Sequence, residues 1–423
     1  MSMNIPVVAA DSGEFAGLPC FFAGPLPRLV KRDERAPSGG ARLRPQLKET
    51  LRPQAAAARQ PRGERRRAAR LAGQRPSPRS GPGLHSPGML PWAQEIDALA
   101  EQSRFAGVVA VDRGGEIEFA KAYGLAHRAH QVPNTLGTRF AIASGTKGLT
   151  ALAVVSLISE GALHLSTTAR SVLGEDLPLI GEDVTVEYLL AHRSGIGDYL
   201  DEQDGHQITD YVVTVPARDL ASTEAYLAVL GGHPAKFRAG ERFCYCNSGY
   251  VVLALIAERV SGVPFPQLVQ DRVCWPAGMC DTGFLRSDEL PCRAAIGYLP
   301  IEGSSRTNVF HLPVVGSGDG GIYSTAADIS ALWRSLFANT IVPARWVAQI
   351  VRPRSDVPSQ SMRYGLGLWL GRHTSAVMLE GLDAGVSFRS VHDPTSTVTH
   401  TVISNSSYGA WPITRRLDDL LAR

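Results

Sequence analysis

The change in hydrophobic period along the chain is what most limits the fold. From Phe140 to about Leu336 apolar residues recur mainly at helical spacing, over 146–160, 184–191, 223–230, 249–260, 265–273 and 325–336. On either side the pattern is that of strands. Residues 107–112 and 117–123 are β-rich and separated by Arg113-Gly114-Gly115, which reads as a hairpin. Strand patterns return at 365–371, 376–379, 386–391 and 397–404. Helical spacing over 92–105, with Ile96, Leu99 and Ala100 on one side, and over 412–421 closes both ends. The expected class is therefore α+β: an antiparallel sheet flanked by N- and C-terminal helices, with an inserted all-α region over about 144–336. No internal repeat is visible.

Charge divides the chain near Met89. Residues 1–88 carry 16 Lys and Arg against 6 Asp and Glu, whereas the remainder carries 27 against 34. Between Pro25 and Pro87 the sequence is rich in Pro, Arg, Ala, Gly and Ser and poor in aromatics, so it cannot bury enough apolar surface to offset the entropy of ordering. Residues 1–88 are expected to be a disordered basic extension, and residues 89–423 the folded domain. The acidic balance of that domain excludes a general nucleic-acid binder, which needs a basic footprint. The six cysteines scattered over the whole chain read as free thiols rather than as a disulfide or zinc framework. Neither a membrane-spanning run nor a secretory signal is visible, which makes the cytoplasm the default expectation.

The chain has only five lysines among its 43 basic residues. One of them closes Ser144-Gly145-Thr146-Lys147, the only S-x-x-K in the sequence, at the start of the helix expected over 146–160. Positions i and i+3 are neighbours on a helix, so the lysine amine lies beside the serine hydroxyl. Serine is a weak nucleophile until a neighbour takes its proton, and a partly buried amine with a lowered pKa can do that. Free N–H groups in the first helical turn favour developing negative charge. A second element, Tyr245-Cys246-Asn247, is the only Y-x-N among eleven tyrosines. Near a lysine a phenol can move protons, and an amide can hold a carbonyl.

These two elements, in this order and about a hundred residues apart, resemble the serine β-lactamase and penicillin-binding protein superfamily. The resemblance is to the branch with a Tyr-x-Asn second motif, which includes cephalosporinase-type β-lactamases, DD-peptidases and β-lactamase-like esterases. Leu189-Leu190-Ala191-His192-Arg193-Ser194-Gly195-Ile196 is similar to that family's L-L-x-H-x-S-G-I loop. The segments Trp275-Pro276-Ala277-Gly278-Met279 and Gly318-Asp319-Gly320-Gly321 also match its pattern. The resemblance implies that Ser144 is the acylated nucleophile, Lys147 its general base and Tyr245 the proton carrier to the leaving group. Asn247 would bind a substrate carbonyl, and His192 would be structural.

The family's third motif, K-T-G or H-x-G, is matched to Glu380-Gly381-Leu382-Asp383-Ala384-Gly385 with Leu382 in the Lys or His place. This implies substrate contacts from Leu382 and Asp383 and an oxyanion hole formed by the N–H groups of Ser144 and Gly385. A leucine there cannot hold a substrate carboxylate, so short neutral esters should be favoured over β-lactams unless Arg389 supplies the cation. No cofactor and no metal are implied; the expected partner is a small ester, amide or peptide. The alternatives are a β-lactamase, a D-amino-acid peptidase, or a sensing module that keeps the fold without turnover.

Overall fold

A computed structural model describes residues 92–421 apart from 203, 204, 206, 207, 212, 302 and 305. The extension expected over 1–88 lies outside the described residues. Helix α1 (Ala93–Gln102) leads into the hairpin β1 (Gly107–Arg113) and β2 (Glu116–Tyr123). The long helices of the middle region are α2 (Thr146–Ser159), α3 (Asn247–Ser261) and α4 (Ala326–Phe337). Six strands follow: β3 (Ser355–Val357), β4 (Met362–Tyr364), β5 (Trp369–Gly371), β6 (Val377–Asp383), β7 (Val386–Asp393) and β8 (Val398–Ser404). Helix α5 (Ala410–Leu421) ends the domain. All eight strands form one antiparallel sheet in the order β2-β1-β8-β7-β6-β5-β4-β3.

The first hairpin thus pairs with the last strand, Val109 standing opposite Val402, and the helical region is inserted between the two parts of the sheet. One face buries Ile96, Val109, Val111, Val402, Ile413 and Leu417 beneath α1 and α5. The other packs on a larger core built around α2 and α3, both almost wholly buried. A helix that is apolar all round belongs inside a protein rather than on its surface. No single helix among the described residues is long and apolar enough to cross a membrane.

Several boundaries differ from those read in the sequence, each for a local reason. Of the strand expected over 365–371 only Trp369–Gly371 is extended, because Gly365 N–H donates to the Leu368 carbonyl in a tight bend. The segment 223–230 is a 3-10 turn followed by one short helical turn. A three-stranded sheet of Phe140–Ala141, Ile322–Ser324 and Gly283–Phe284 accompanies the inserted helices.

The strand expected to end at Leu379 continues to Asp383, and Gly381 is the reason it can lie where it does. A Cβ at Gly381 would stand 2.1 Å from the Ile142 carbonyl oxygen and 2.9 Å from the Ser144 nitrogen. Both are backbone atoms that cannot turn aside, so β6 touches the start of α2 only because residue 381 has no side chain. Gly381→Ala is expected to destabilise the domain by about 1–3 kcal/mol, as overpacking does. Thermal unfolding followed by circular dichroism checks this; an unchanged melting temperature would mean that the contact is not tight.

Candidate active site

The chain reaches Ser144 through a single 3-10 turn, Ala143–Gly145, that runs directly into α2. Ala143 takes a left-handed conformation, φ 45°, which is costly for a residue with a Cβ and bends the chain just before Ser144. Gly145 allows close packing on Phe388 of β7, where a Cβ would stand 2.5 Å from the ring. Ser144 and Lys147 then meet as i and i+3 neighbours, with Lys147 Nζ 2.9 Å from Ser144 Oγ.

Lys147 is only 2% exposed. Its amine also donates to Asn247 Oδ1 at 2.8 Å and to the Asp319 carbonyl at 2.7 Å. Burial pushes its pKa down, since an amine without water disfavours its charged form. The carboxyls of Asp319, Glu202, Asp198 and Asp383 oppose that shift without cancelling it. The neutral amine fits these partners. Its two protons go to the two groups that only accept, Asn247 Oδ1 and the Asp319 carbonyl, leaving its lone pair for the Ser144 hydroxyl.

Tyr245 stands beside this pair, its ring centroid 5.0 Å from Lys147 Nζ. Its ring lies between His192, 4.3 Å away, and Trp369, stacked at 6.2 Å. Burial, with the Glu202 carboxyl, raises the phenol far above its ordinary value, so Tyr245 rests as a neutral phenol. Neutral His192 supports this segment by accepting a hydrogen bond from Cys246 N–H at Nδ1, 3.1 Å. The start of α3 is fixed by Asp198, whose two carboxylate oxygens accept from the N–H groups of Asn247 and Ser248, each at 2.8 Å. An acidic group across the first N–H groups of a helix satisfies orphan donors and meets the positive dipole end.

Asp198 was not foreseen in the sequence, and neither was Glu202, which lines the cleft together with Asn247. Both act across some fifty residues of chain, so no local spacing marks them. Asp319 sits in the Gly-rich segment that the resemblance singled out. Its carboxylate accepts from Tyr199 Oη at 2.6 Å while its carbonyl holds Lys147.

The third element is placed differently from the sequence expectation. Leu382 lines the cleft, yet its side chain packs with the cluster beneath the terminal helices, not in the place of a substrate-facing Lys or His. Gly385 lies in the two-residue turn between β6 and β7 with φ 70°, and its N–H donates to Ser407 Oγ at 2.8 Å, so it does not serve Ser144. The glycine that meets the nucleophile turn is Gly381, which moves the motif back to Leu379-Glu380-Gly381. Leu379 is buried against Gly148, so the first position remains a leucine. Arg389 is turned to the terminal-helix side, where it pairs with Glu380 and Asp418. Asp383 does line the cleft; burial raises its carboxyl to about 7, with Asp319 adding repulsion.

Antiparallel pairing decides which amide of β6 points to its open edge. Asp383 and Val386 flank the two-residue turn and pair directly, so the next residue, Leu382, sends its N–H and C=O away from β7. On that side β5 pairs with β6 only at Val377 and Met378, so the strand edge beyond is open beside Ser144.

A family model described as Beta-lactamase matches residues 92–422. The chain is 29% identical over 336 residues to the esterase EstB of Burkholderia gladioli, covering 69% of this chain and 82% of the esterase. It is 27% identical over 299 residues to the putative penicillin-binding protein PbpX of Bacillus subtilis, 70% of each chain. Among solved structures it resembles a penicillin-binding protein from Bacillus halodurans, with 34% identity, a TM-score of 0.73 and coverage of 77% of this chain and 99% of that one. A match over the whole described domain, on the same helix-and-sheet architecture, means that this chain belongs to the Beta-lactamase family and is one of its serine hydrolases.

Proposed function

We propose that the protein hydrolyses esters or amides through an acyl-enzyme on Ser144. The observation that carries this reading is the buried Lys147 amine, whose acceptor-only partners leave its lone pair to the Ser144 hydroxyl. Ser144 Oγ adds to the substrate carbonyl carbon as its proton passes to Lys147 Nζ. The tetrahedral oxyanion is met by the N–H of Ser144 and, in place of Gly385, by the N–H of Leu382. Its collapse breaks the bond to the leaving oxygen or nitrogen, which takes up the proton by way of the neutral Tyr245 phenol. Water then adds to the acyl-enzyme, releasing the acid and restoring Ser144.

Among the described residues lining the cleft there is no Arg and no Lys, while Asp201, Glu202, Asp319 and Asp383 all stand there. β-Lactams and D-alanyl peptides present a carboxylate near the scissile carbonyl, and this lining offers it no cation to pair with. Short neutral esters have no such group to place. Comparing kcat/KM for p-nitrophenyl butyrate and nitrocefin, with Ser144→Ala as the blank, tests the assignment. The ester is expected to be the better substrate and to lose turnover in the blank; a higher value for nitrocefin favours a β-lactamase, and equal rates with and without Ser144 remove the acyl-enzyme.

Lys147→Arg is expected to be nearly as inactive as Lys147→Ala, because a guanidinium stays charged and cannot accept the serine proton. In the native enzyme kcat/KM should fall as pH drops through the Lys147 pKa, which lies below the ordinary lysine range because the amine is buried. The pH–rate profile of ester hydrolysis shows this acid limb; activity of Lys147→Arg within a few-fold of native would overturn the base assignment.

The Leu382 amide is tested by a pair of variants. Leu382→Ala keeps the N–H and is expected to retain most activity, whereas Leu382→Pro removes it and should lower kcat about 100- to 1000-fold, the usual effect of losing one oxyanion donor. Melting temperatures of both variants separate this loss from misfolding, and full activity in a folded Leu382→Pro would exclude the amide.

A further inference from the structure

Asp319 meets Lys147 twice, through its carbonyl and through its carboxyl. The carbonyl accepts from Lys147 Nζ at 2.7 Å, and both residues are buried. Yet the peptide that carries it lies between Gly318 and Gly320, and glycine leaves a backbone the widest conformational freedom. One restraint on this segment is Thr150 Oγ1, which donates to the Gly318 carbonyl at 2.7 Å. A second is Tyr199 Oη, which donates to Asp319 Oδ2 at 2.6 Å.

Tyr199 is itself fixed to the start of α3. Its N–H donates to Ser248 Oγ at 2.9 Å, next to Asn247, and its carbonyl accepts from Tyr211 Oη at 3.0 Å. It therefore spans the two segments that supply the acceptors of Lys147, Asn247 Oδ1 and the Asp319 carbonyl. Burial and the Asp319 carboxyl hold its phenol far above the ordinary value, so it remains a donor. A donor at this distance favours the charged carboxylate of Asp319, which burial alone disfavours.

Lys147 faces the carboxyls of Asp319, Glu202, Asp198 and Asp383 and the rings of Tyr245 and Tyr250, with neutral His192 nearby. Asp319 in turn faces the phenols of Tyr199, Tyr211 and Tyr226 and the carboxyl of Asp383. Of the four carboxyls, Asp319 opposes the effect of burial on Lys147 most strongly, and its residue is also bound to the amine through the carbonyl.

Resting on the acyl-enzyme reading above, we infer that Asp319 and Tyr199 form a positioning pair that keeps Lys147 basic enough to take the Ser144 proton, with Tyr199 acting through Asp319. Without the phenol donor or the carboxyl charge, Asp319 stabilises the ammonium less, so Lys147 gives up its proton at a lower pH. The acid limb of kcat/KM then moves to lower pH, and the rate above it falls because the amine is a weaker base. Loosened packing has the opposite sign, since water reaching the amine restores its charged form and moves the limb up.

The test reads that limb for p-nitrophenyl butyrate in the native protein, Tyr199→Phe, Asp319→Asn and the double variant. The pH dependence of inactivation by a fluorophosphonate reads it again without turnover. Asp319→Asn keeps the carbonyl and removes the charge, and should move the limb down by about one pH unit, the scale of one neighbouring carboxylate. Tyr199→Phe should move it in the same direction by less. Adding Tyr199→Phe to Asp319→Asn should change little, because the phenol then has no charge to hold. Melting temperatures show which variants are folded; where one is not, the other decides the sign. A limb that stays or rises in a folded variant overturns the role of that side chain, and an equal shift from Tyr199→Phe with and without the Asp319 carboxyl overturns the pairing. Each of these results leaves the hydrolase reading standing so long as Ser144→Ala abolishes ester cleavage. If the native protein reacts with ester and fluorophosphonate no faster than Ser144→Ala, the hydrolase reading itself fails and this inference with it.

Discussion

The Lys147 amine occupies a place where neither of its charge states is free of cost, and that conflict organises its surroundings. Taking an ammonium out of water is penalised by on the order of several kcal/mol, which favours the neutral form. An uncharged amine with unmet hydrogen-bonding groups would also be penalised. The domain meets both demands by supplying two fixed acceptors, Asn247 Oδ1 and the Asp319 carbonyl, and one group able to donate, Ser144 Oγ. The acceptors come from the start of α3 and from the Gly-rich segment before Ile322–Ser324, so three distant parts of the chain converge on one nitrogen. Remove any of them and the amine either recovers its proton or is left with an unpaired buried polar atom.

Convergence of this kind requires backbones to approach more closely than side chains allow. A Cβ at Gly318 would stand 2.1 Å from the Tyr250 carbonyl oxygen, so the Gly-rich segment can lie on α3 only with glycine at that position. Thr150 Oγ1 then donates to the Gly318 carbonyl at 2.7 Å, and Thr146 Oγ1 accepts from Ile322 N–H at 3.1 Å. Two threonines of α2 therefore tie down the segment that delivers the Asp319 carbonyl to Lys147. Gly381 has the matching role on the sheet side, where β6 can lie against the turn that carries Ser144 because residue 381 has no side chain. The positions of Ser144 and Lys147 follow from two glycine contacts, Gly318 on α3 and Gly381 on the turn before α2, rather than from the motif residues alone.

Those contacts also mark the limit of what the sequence could reveal. Ser144 and Lys147 were legible because i and i+3 proximity is a property of any helix, and Tyr245 and Asn247 because the family resemblance set them in order. The two ends of the sheet and the main helices were legible from period alone. The third element is misplaced in the sequence because the strand pattern there covers only 376–379, whereas β6 runs on to Asp383. Extending it to Asp383 changes which amide faces Ser144, and only the contact between Gly381 and the distant nucleophile turn decides it. Asp198 and Glu202 escaped notice because a cap or carboxyl supplied from another segment has no sequence spacing of its own.

The carboxyls around the cleft link base strength to substrate preference. Desolvation alone would leave Lys147 a weak base, whereas the general-base role proposed for it is best served by an amine whose pKa lies near the working pH. Glu202, Asp319, Asp383 and Asp198 raise its proton affinity part of the way back. An arginine in the same cleft would do the opposite, adding a permanent positive charge that depresses Lys147 further while attracting carboxylates. The arginines near these elements are instead held in pairs away from the cleft, as Arg389 is by Glu380 and Asp418, and Arg139 and Arg293 are by Asp281. The acidic lining that raises the proton affinity of Lys147 is thus also a lining without a cation for an anionic acyl group. An arginine added to admit a carboxylate would also make the lysine a poorer base, so the two properties cannot be adjusted independently.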